Sequence, residues 1–251
     1  MNKLQQIRIG QIVPSSNITM ETEVPAIFRT REHFHPQRFT FHSSRMRMKK
    51  VTKAELEKMD NDSLRCALEL SDAKVDVMGY ACLVAIMSMG LGYHRKSENR
   101  LNEVARNNGS DCPIVTSAGA LVDGLKAIGA KRISLLAPYM KPLTTLVIDY
   151  IESEGIEVVD SISLEISDNL EVGSQDPRAP IDITKRLRTD VDALVASACV
   201  QMPSLPSIQP IEDRVGIPVL SSSVATAYKM MKALNIDTHV PGYGALLSGK
   251  Y

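Results

Sequence analysis

Short apolar runs alternate with amphipathic helical patterns along the whole chain, an arrangement typical of βαβ units and parallel sheets. At the start, Ile7 to Pro14 predicts a buried strand and Phe39 to Ser44 predicts the next one. The helix between them begins with Ser15, Ser16 or Asn17 as its expected N-cap. We therefore expect an α/β fold.

The same order of elements occurs twice. The run "VDVMGYAC", Val75 to Cys82, matches "VDALVASAC", Val191 to Cys199, and both predict strands. The segment from Ile7 likewise matches the segment from Lys131, and "CPIVTSAGALVDGLKAIGA" matches "IPVLSSSVATAYKMMKALNI". Three matches in one order indicate a duplicated doubly wound domain. We expect two similar lobes, residues 1–129 and 130–251, related by a pseudo-two-fold axis, with a C-terminal helix that can cross back to the first lobe.

Composition narrows the classes of function. The 251 residues are 44% hydrophobic, enough for one large domain or two small ones, and the repeat favours two. Lys plus Arg and Asp plus Glu each number 29, so no net charge attracts nucleic acid or an anionic membrane.

The apolar runs are shorter than the roughly 20 residues that span a bilayer, and no signal peptide precedes the first strand. We expect a cytoplasmic protein with four free thiols, since the cysteines show no CxxC spacing.

Two cysteines occupy equivalent places in the repeat. Cys82 and Cys199 each stand at the carboxyl end of a strand-like run, which is where open parallel sheets bind ligands. A cysteine in an apolar strand is usually a small core residue, but the repeated position favours a chemical role. If the lobes face each other, both thiols line one cleft. Cys66, on the apolar face of a helix, and Cys112, at a strand start, are assigned to the core.

Polar residues in the turns after strands are candidates for holding a small anion. Asn17 lies in "VPSSN" and Tyr139 lies in the matching turn "APYMKP", where its hydroxyl can donate to an anionic oxygen. Asn169 lies in Ser167 to Pro180, which predicts a polar loop long enough to act as a flap. Plain N-capping by Asn17 and a merely solvated loop explain these residues equally well. The turns Thr116–Gly119 and Ser221–Thr226 are further candidate donors.

The sequence contains no motif for a nucleotide or a metal. No GxGxxG or P-loop pattern follows a predicted strand, and the five histidines lack i,i+4 spacing, with "HFHPQ" the nearest approach to a metal site. We therefore expect no metal and no cofactor. The basic segment Arg29 to Lys50 is expected to be a surface connection that helps attract an anionic substrate.

Together these pieces resemble the aspartate/glutamate racemase superfamily, and within it the maleate cis-trans isomerases. The resemblance covers nearly the whole chain and is carried by "QIVPSSNITMETE", "DVMGYACLVAIMSMG", "LLAPYMKPL", "SDNLEVG" and "ASACVQMPS". Amino-acid racemases tend to follow the first cysteine with small hydroxylated residues. Here Leu83 and Val84 follow Cys82, which argues against an amino-acid racemase.

The resemblance implies roles for these residues. Cys82 would be the nucleophile, and Cys199 would be its partner acid or base. The substrate carboxylates would be held by a set of side chains and backbone groups: Asn17, Tyr139, Asn169, Leu83, Val84 and Val200. The resemblance also implies a homodimer or higher homo-oligomer without metal or organic cofactor.

An enzyme of this kind would turn maleate into fumarate through a covalent S-succinyl-cysteine. The thiolate adds to the electron-poor alkene carbon, the C2–C3 bond then rotates as a single bond, and expulsion of the thiolate leaves the trans alkene. Negative charge builds up on the carboxylate during addition, so donors must be aimed at its oxygens. We expect an electropositive pocket at helix N-termini to favour the thiolate.

Two other functions fit the same residues. A two-cysteine racemase would take an α-proton with one thiolate and return a proton from the other thiol on the opposite face. A non-catalytic binding protein for small acids would need neither thiol. Polarimetry on amino acids, loss of maleate absorbance, and ligand binding by a Cys82→Ala variant distinguish the three.

Overall fold

A computed structural model of the chain describes residues 6–49 and 52–251, which form two four-stranded parallel sheets. The first sheet contains β1 (Gln6–Pro14), β2 (Arg38–Met46), β3 (Val77–Tyr80) and β4 (Ile114–Thr116). The second contains β5 (Arg132–Ala137), β6 (Glu157–Ser163), β7 (Ala193–Ser197) and β8 (Val219–Ser221). The strand orders, β2-β1-β3-β4 and β6-β5-β7-β8, are equivalent. The expected α/β class with two similar lobes is confirmed.

Helices supply the crossovers that parallel strands require. The first half contains α1 (Met20–Arg31), α2 (Lys53–Asp72), α3 (Leu83–Ser88), α4 (Tyr93–Asn107) and α5 (Ser117–Ala127). The second half contains α6 (Lys141–Ser153), α7 (Asn169–Gly173), α8 (Ala179–Ile183), α9 (Ile208–Val215) and α10 (Ser222–Ala233). Helix α10 packs against α1 and α5. The lobe boundary at residues 129 and 130 stays a prediction.

The strands that lead to the two cysteines are shorter than predicted. β3 ends at Tyr80 and β7 at Ser197, so each cysteine lies in the connection after its strand. Helix α3 then begins directly after Cys82, in an apolar run for which no helix was predicted. An apolar segment that is buried on every side has no periodicity to distinguish a helix from a strand.

The predicted flap also differs from its prediction. The stretch from Ser167 to Pro180 is not a plain loop, because it contains α7 and the start of α8, and Asp168 Oδ1 caps α7 by accepting from the Glu171 N–H at 2.9 Å. Local polarity therefore did not distinguish a capped short helix from a loop.

The basic segment from Arg29 is not a surface connection. It includes the end of α1 and all of β2, and Arg31 is only 1% exposed. The Arg31 guanidinium donates from Nε to Asp237 O at 2.9 Å and from Nη1 to Gln37 Oε1 at 2.8 Å. These hydrogen bonds make the residue part of the protein interior. Lys50, the last residue of the segment, lies outside the described residues.

A carboxylate joins the two halves beside α6. Glu154 follows α6 and accepts two hydrogen bonds from Arg95 of α4, both at 2.7 Å, and one from Lys126 of α5 at 2.8 Å. Its side chain is 8% exposed. The hydrogen bonds from Arg95, together with the hydrogen bond and charge of Lys126, lower the pKa of Glu154 to about 2. The ionised carboxylate therefore stabilises the contact between the halves.

Replacing Glu154 by Gln should lower the free energy of unfolding at neutral pH by about 2 kcal/mol, because its partners are partly exposed and screened. The folded-state pKa is depressed, so this stabilisation is fully present above the unfolded-state value of about 4.3 and is lost as pH falls toward 2. Urea denaturation at about pH 7 and about pH 3 measures the difference, which should shrink at the lower pH. Glu103→Gln, an exposed site on α4, is the control. A pH-independent difference would contradict the assignment.

Candidate active site

One cavity lies where the carboxyl ends of the two sheets meet. It is lined by Pro14, Asn17, Met48, Cys82, Val84, Tyr139, Asn169, Cys199, Val200 and Gln201. The structure thus brings together both predicted cysteines and the three predicted polar residues from segments far apart in the chain. This is the ligand position expected for open parallel sheets.

Three differences from the sequence expectation concern this lining. Leu83 is not among the lining residues, and its side chain is 1% exposed in the hydrophobic core. Met48 and Gln201 line the cavity although no sequence pattern singled them out. The signal for Gln201 was present, since it is the polar residue inside the apolar run "ACVQM" that follows β7.

Cys82 occupies a strained turn between β3 and α3. Its φ of 96° and ψ of 75° are left-handed, a conformation that costs a non-glycine residue free energy. Helix α3 starts at the next residue, and the Ala85 N–H is directed at the Cys82 thiol. A strained residue between a strand and a helix presents its side chain at the top of the sheet, as nucleophile turns in other α/β enzymes do.

Cys199 lies in an irregular turn with a different set of partners. Its carbonyl accepts from Ser197 Oγ at 2.9 Å and from the Met202 N–H at 3.3 Å. The Tyr139 hydroxyl and the N–H groups of Gln201 and Met202 lie close enough to its thiol to favour the thiolate form, which lowers the pKa against the effect of burial. Cys199 therefore has three donors where Cys82 has one, so the two halves of the repeat are chemically unequal here.

Burial raises the pKa of both thiols. The pKa of Cys82 is raised to about 12, against the opposing effect of the Ala85 N–H. The pKa of Cys199 is also raised by burial, although its three donors lower it. Cys82 does lie at the N-terminus of α3, but burial outweighs this effect, so the expected preference for the thiolate is not found. No lysine, arginine or histidine is among the described residues that line the cavity. Both thiols are held in a neutral environment.

The polar side chains of the cavity are already ordered by the protein. Asn17 Oδ1 accepts from the N–H groups of Thr19, which is the N-cap of α1, and of Met20, its first residue, both at 2.9 Å. Ser15, Ser16 and Asn17 are therefore not the N-cap residue that the sequence predicted. Asn169 Nδ2 donates to Ser16 Oγ at 2.8 Å, and the Tyr139 hydroxyl donates to Ala198 O at 3.2 Å. The Asn169 amide keeps a second N–H for an anion, whereas the Tyr139 hydroxyl has one proton and has to leave Ala198 O before it can donate to an anion.

The other candidate polar residues have structural roles. Ser15 Oγ bonds the backbone of Met48 and does not cap α1. Thr116 and Ser221 are the N-caps of α5 and α10, and neither lines the cavity.

Among residues 6–49 and 52–251, no group of three or more His, Cys, Asp or Glu side chains is arranged to hold a metal ion. In the same residues no helix is long and apolar enough to cross a membrane.

Known proteins are similar in sequence to this chain over almost its full length. A family model described as arylmalonate decarboxylase matches residues 9–247. The maleate isomerase of Geobacillus stearothermophilus is 61% identical over 98% of this chain and 99% of that protein.

Solved structures share the fold. A cysteine-to-alanine variant of the maleate isomerase Iso from Pseudomonas putida S16, crystallised with maleate, is 63% identical, with a TM-score of 0.97 over 98% of this chain and 99% of that chain. A cysteine-to-serine mutant of the Nocardia farcinica maleate cis-trans isomerase carries a covalently bound succinylcysteine intermediate. It is 44% identical, with a TM-score of 0.93 over 98% of this chain and 100% of that chain. The expected family is confirmed, and this chain belongs to the maleate isomerases of the arylmalonate decarboxylase family.

Proposed function

We propose that this protein isomerises maleate to fumarate without a cofactor, through an S-succinyl adduct on Cys82. The observation that carries the proposal is the meeting of two thiols and three ordered neutral donors in one enclosed cavity. The relatives named as maleate isomerases, one of them with maleate and another with a succinylcysteine, support the same chemistry.

The reaction begins with the Cys82 thiolate and the Cys199 thiol. The Cys82 sulfur forms a bond to C2 of maleate, and the π electrons move toward the C3 carboxylate as an enediolate. Cys199 gives its proton to C3, which completes the S-succinyl adduct and leaves a Cys199 thiolate. After rotation about C2–C3, this thiolate removes a proton from C3 and the Cys82 thiolate is expelled, leaving fumarate. Both thiols return to their initial forms.

The two environments suit these different roles. Burial and the high pKa make the Cys82 thiolate strongly nucleophilic once it forms, because nucleophilicity rises with thiol pKa. The strained turn holds its sulfur in place. The three donors around Cys199 stabilise the thiolate that is left after Cys199 gives up its proton. Cys199 is therefore the better proton donor of the pair.

Neutral donors hold the dianionic substrate. We assign Asn17, Tyr139 and Asn169 to its carboxylates, with the backbone of Leu83, Val84 and Val200 assisting. Loss of one such donor is expected to cost about 3 kcal/mol of transition-state stabilisation. The lining side chains Asn17, Tyr139, Asn169 and Cys199 are each less than a tenth exposed, which limits the access of water that would hydrate the adduct to malate.

We also propose that the protein acts in the cytoplasm as a homodimer or higher homo-oligomer. Its four cysteines are free, as is usual in a reducing compartment. The homo-oligomer is the assembly that the resemblance to this family implies. Sedimentation equilibrium at micromolar concentration tests the assembly, and a purely monomeric protein would exclude it.

Replacing Cys82 by Ser should lower turnover of maleate by at least about 1,000-fold, because a serine hydroxyl adds poorly to the alkene. The loss of maleate absorbance measures turnover. Mass spectrometry of the wild-type protein incubated with maleate should find one succinyl unit on the peptide that contains Cys82. Cys112→Ser, a buried cysteine away from the cavity, should keep both activity and adduct. An adduct on another cysteine would overturn the assignment.

Replacing Cys199 by Ser should slow turnover by at least about 100-fold, since the variant lacks the thiol that exchanges a proton with C3. The basic enediolate can still take a proton from the serine hydroxyl or from water, but no thiolate is left to remove the proton from C3 again. The succinyl adduct on Cys82 should therefore form and accumulate, which intact-mass measurement detects. Full activity in this variant would remove Cys199 from the mechanism.

Tyr139→Phe should make Cys199 a weaker acid. The Tyr139 hydroxyl lowers the pKa of Cys199, so its removal should raise that pKa and slow alkylation of Cys199 by iodoacetamide about 5-fold near pH 8. The rate is followed by mass spectrometry in a Cys82→Ser background. Tyr150→Phe is the matched control, because the Tyr150 hydroxyl bonds His94 outside the cavity. Equal rates in both tyrosine variants would contradict the contact.

A further inference from the structure

The side-chain amide of Gln201 joins three segments of the cavity wall. Gln201 Oε1 accepts from the Ile18 N–H at 2.9 Å, and Nε2 donates to Ser16 O at 3.0 Å and to Asn169 O at 2.7 Å. These contacts occupy both N–H donors and the oxygen of the amide. Gln201 is 3% exposed. A buried amide with all these partners has a single favourable orientation.

The partners of this amide are the backbone groups around the two asparagines of the site. Ser16 and Ile18 flank Asn17, so Gln201 fixes the chain on both sides of Asn17. The third partner is the carbonyl of Asn169 itself. Asn17 and Asn169 come from different halves of the chain, and one side chain thereby sets the distance between them.

The backbone of Gln201 extends the same connection. Its carbonyl accepts from Thr19 Oγ1 at 2.7 Å, beside the N-terminus of α1. Its N–H is directed at the Cys199 thiol. Gln201 is therefore bonded to the surroundings of Asn17, Asn169 and Cys199 at once.

Close packing at α7 supports the importance of this amide. Gly173 is the last residue of α7, and a Cβ atom there would lie 2.5 Å from Gln201 Nε2 and 2.7 Å from Ile18 Cγ1. Both distances are too short for real contacts. Helix α7 therefore approaches the Gln201 amide as closely as only a glycine allows.

We infer that Gln201 is a positioning residue that holds Asn17 and Asn169 at the spacing needed to bind both carboxylates of one substrate molecule. This inference rests on the proposed function, because it takes the two asparagines as the groups that hold the carboxylates. A shift of about 1 Å in a group that orients the substrate can cost about 100-fold in rate. A leucine at position 201 would fill the volume but would leave Ile18 N, Ser16 O and Asn169 O without this partner.

Gln201→Leu should lower kcat/KM for maleate by about 100-fold. The matched control is Gln11→Leu, since Gln11 is also a buried glutamine, 1% exposed, and donates to a backbone carbonyl, Met20 O, at 3.3 Å. That control loses a buried hydrogen bond outside the cavity lining and should keep kcat/KM within about 3-fold of wild type. Thermal unfolding of both variants measures the structural cost separately. Equal kcat/KM in the two variants would overturn the inference.

A double-mutant cycle distinguishes positioning from a general loss of packing. Asn17→Ser removes the amide group but keeps an oxygen that can cap α1, and Asn169→Ala removes the second amide. If Gln201 acts through these asparagines, Gln201→Leu should cost about tenfold less in each background than in the wild-type protein. A cost that stays near its wild-type value in both backgrounds would show that Gln201 does not act through them.

Gly173→Ala tests the same contact with Gln201 still present, and it serves if Gln201→Leu fails to fold. The added methyl should displace the amide or α7 and lower kcat/KM by about tenfold or more. Turnover of maleate by the wild-type protein is the reference. If the wild-type protein does not turn over maleate, the proposed function is overturned, and this inference with it. Turnover by the wild type together with unchanged kcat/KM in the variants would overturn the inference alone.

Discussion

The site depends on holding the carboxyl ends of two separate sheets against each other. Each sheet ends in a cysteine connection, and neither half by itself encloses a cavity that touches both thiols. Most of the contact is apolar, since one hydrophobic core includes buried residues of both halves and α10 packs against α1 and α5. Two carboxylates within it accept hydrogen bonds across the contact. Glu154 binds Arg95 and Lys126 on one side. On the other side Glu23, 5% exposed, accepts from the N–H groups of Ser204 and Leu205 at 2.5 and 2.7 Å. A buried carboxylate without such partners would weaken the contact.

The neutral interior of the cavity determines how its chemistry can work. No cationic side chain is among the described residues that line the cavity, and burial opposes ionisation of both thiols, so the thiolate is present only in small amounts before reaction. A thiolate that does form there is poorly solvated and correspondingly reactive. The same environment has to accept a dianion, and the ordered amides and hydroxyl supply fixed dipoles in place of a charge. The cavity thus combines a weakly acidic nucleophile with donors that need no reorganisation.

Duplication supplied two similar halves, and their differences assign the roles. Both cysteines follow the third strand of their sheet in chain order, yet only Cys82 has a left-handed backbone and a helix directly after it. The corresponding connection after Cys199 is irregular, and its N–H groups turn back to the thiol. That irregular path also places Gln201 against the chain around Asn17. In the proposed mechanism the first half therefore supplies the nucleophilic sulfur of Cys82. The second half supplies the thiol of Cys199, which exchanges a proton with the substrate, and the amide of Gln201.

The sequence by itself determined the fold class, the repeat and which two cysteines belong to the site. Hydrophobic periodicity and position at a strand end are local properties of the chain, so both can be read from it. The turns after strands made Asn17 and Tyr139 candidates and the predicted flap made Asn169 one, but their roles came from the resemblance to a known family. The sequence did not determine that α3 begins after Cys82, that α7 lies within the predicted flap, or that Arg31 is buried, because uniform apolar or polar runs carry no period.

Only the tertiary structure decided the neutrality of the cavity and the position of Gln201. Desolvation depends on every atom around a thiol, and the partners of the Gln201 amide lie more than thirty residues away from it at Asn169 and more than 180 at Ser16 and Ile18. Contacts of such sequence separation leave no local pattern. Their physical effect exists only when the two halves are packed together.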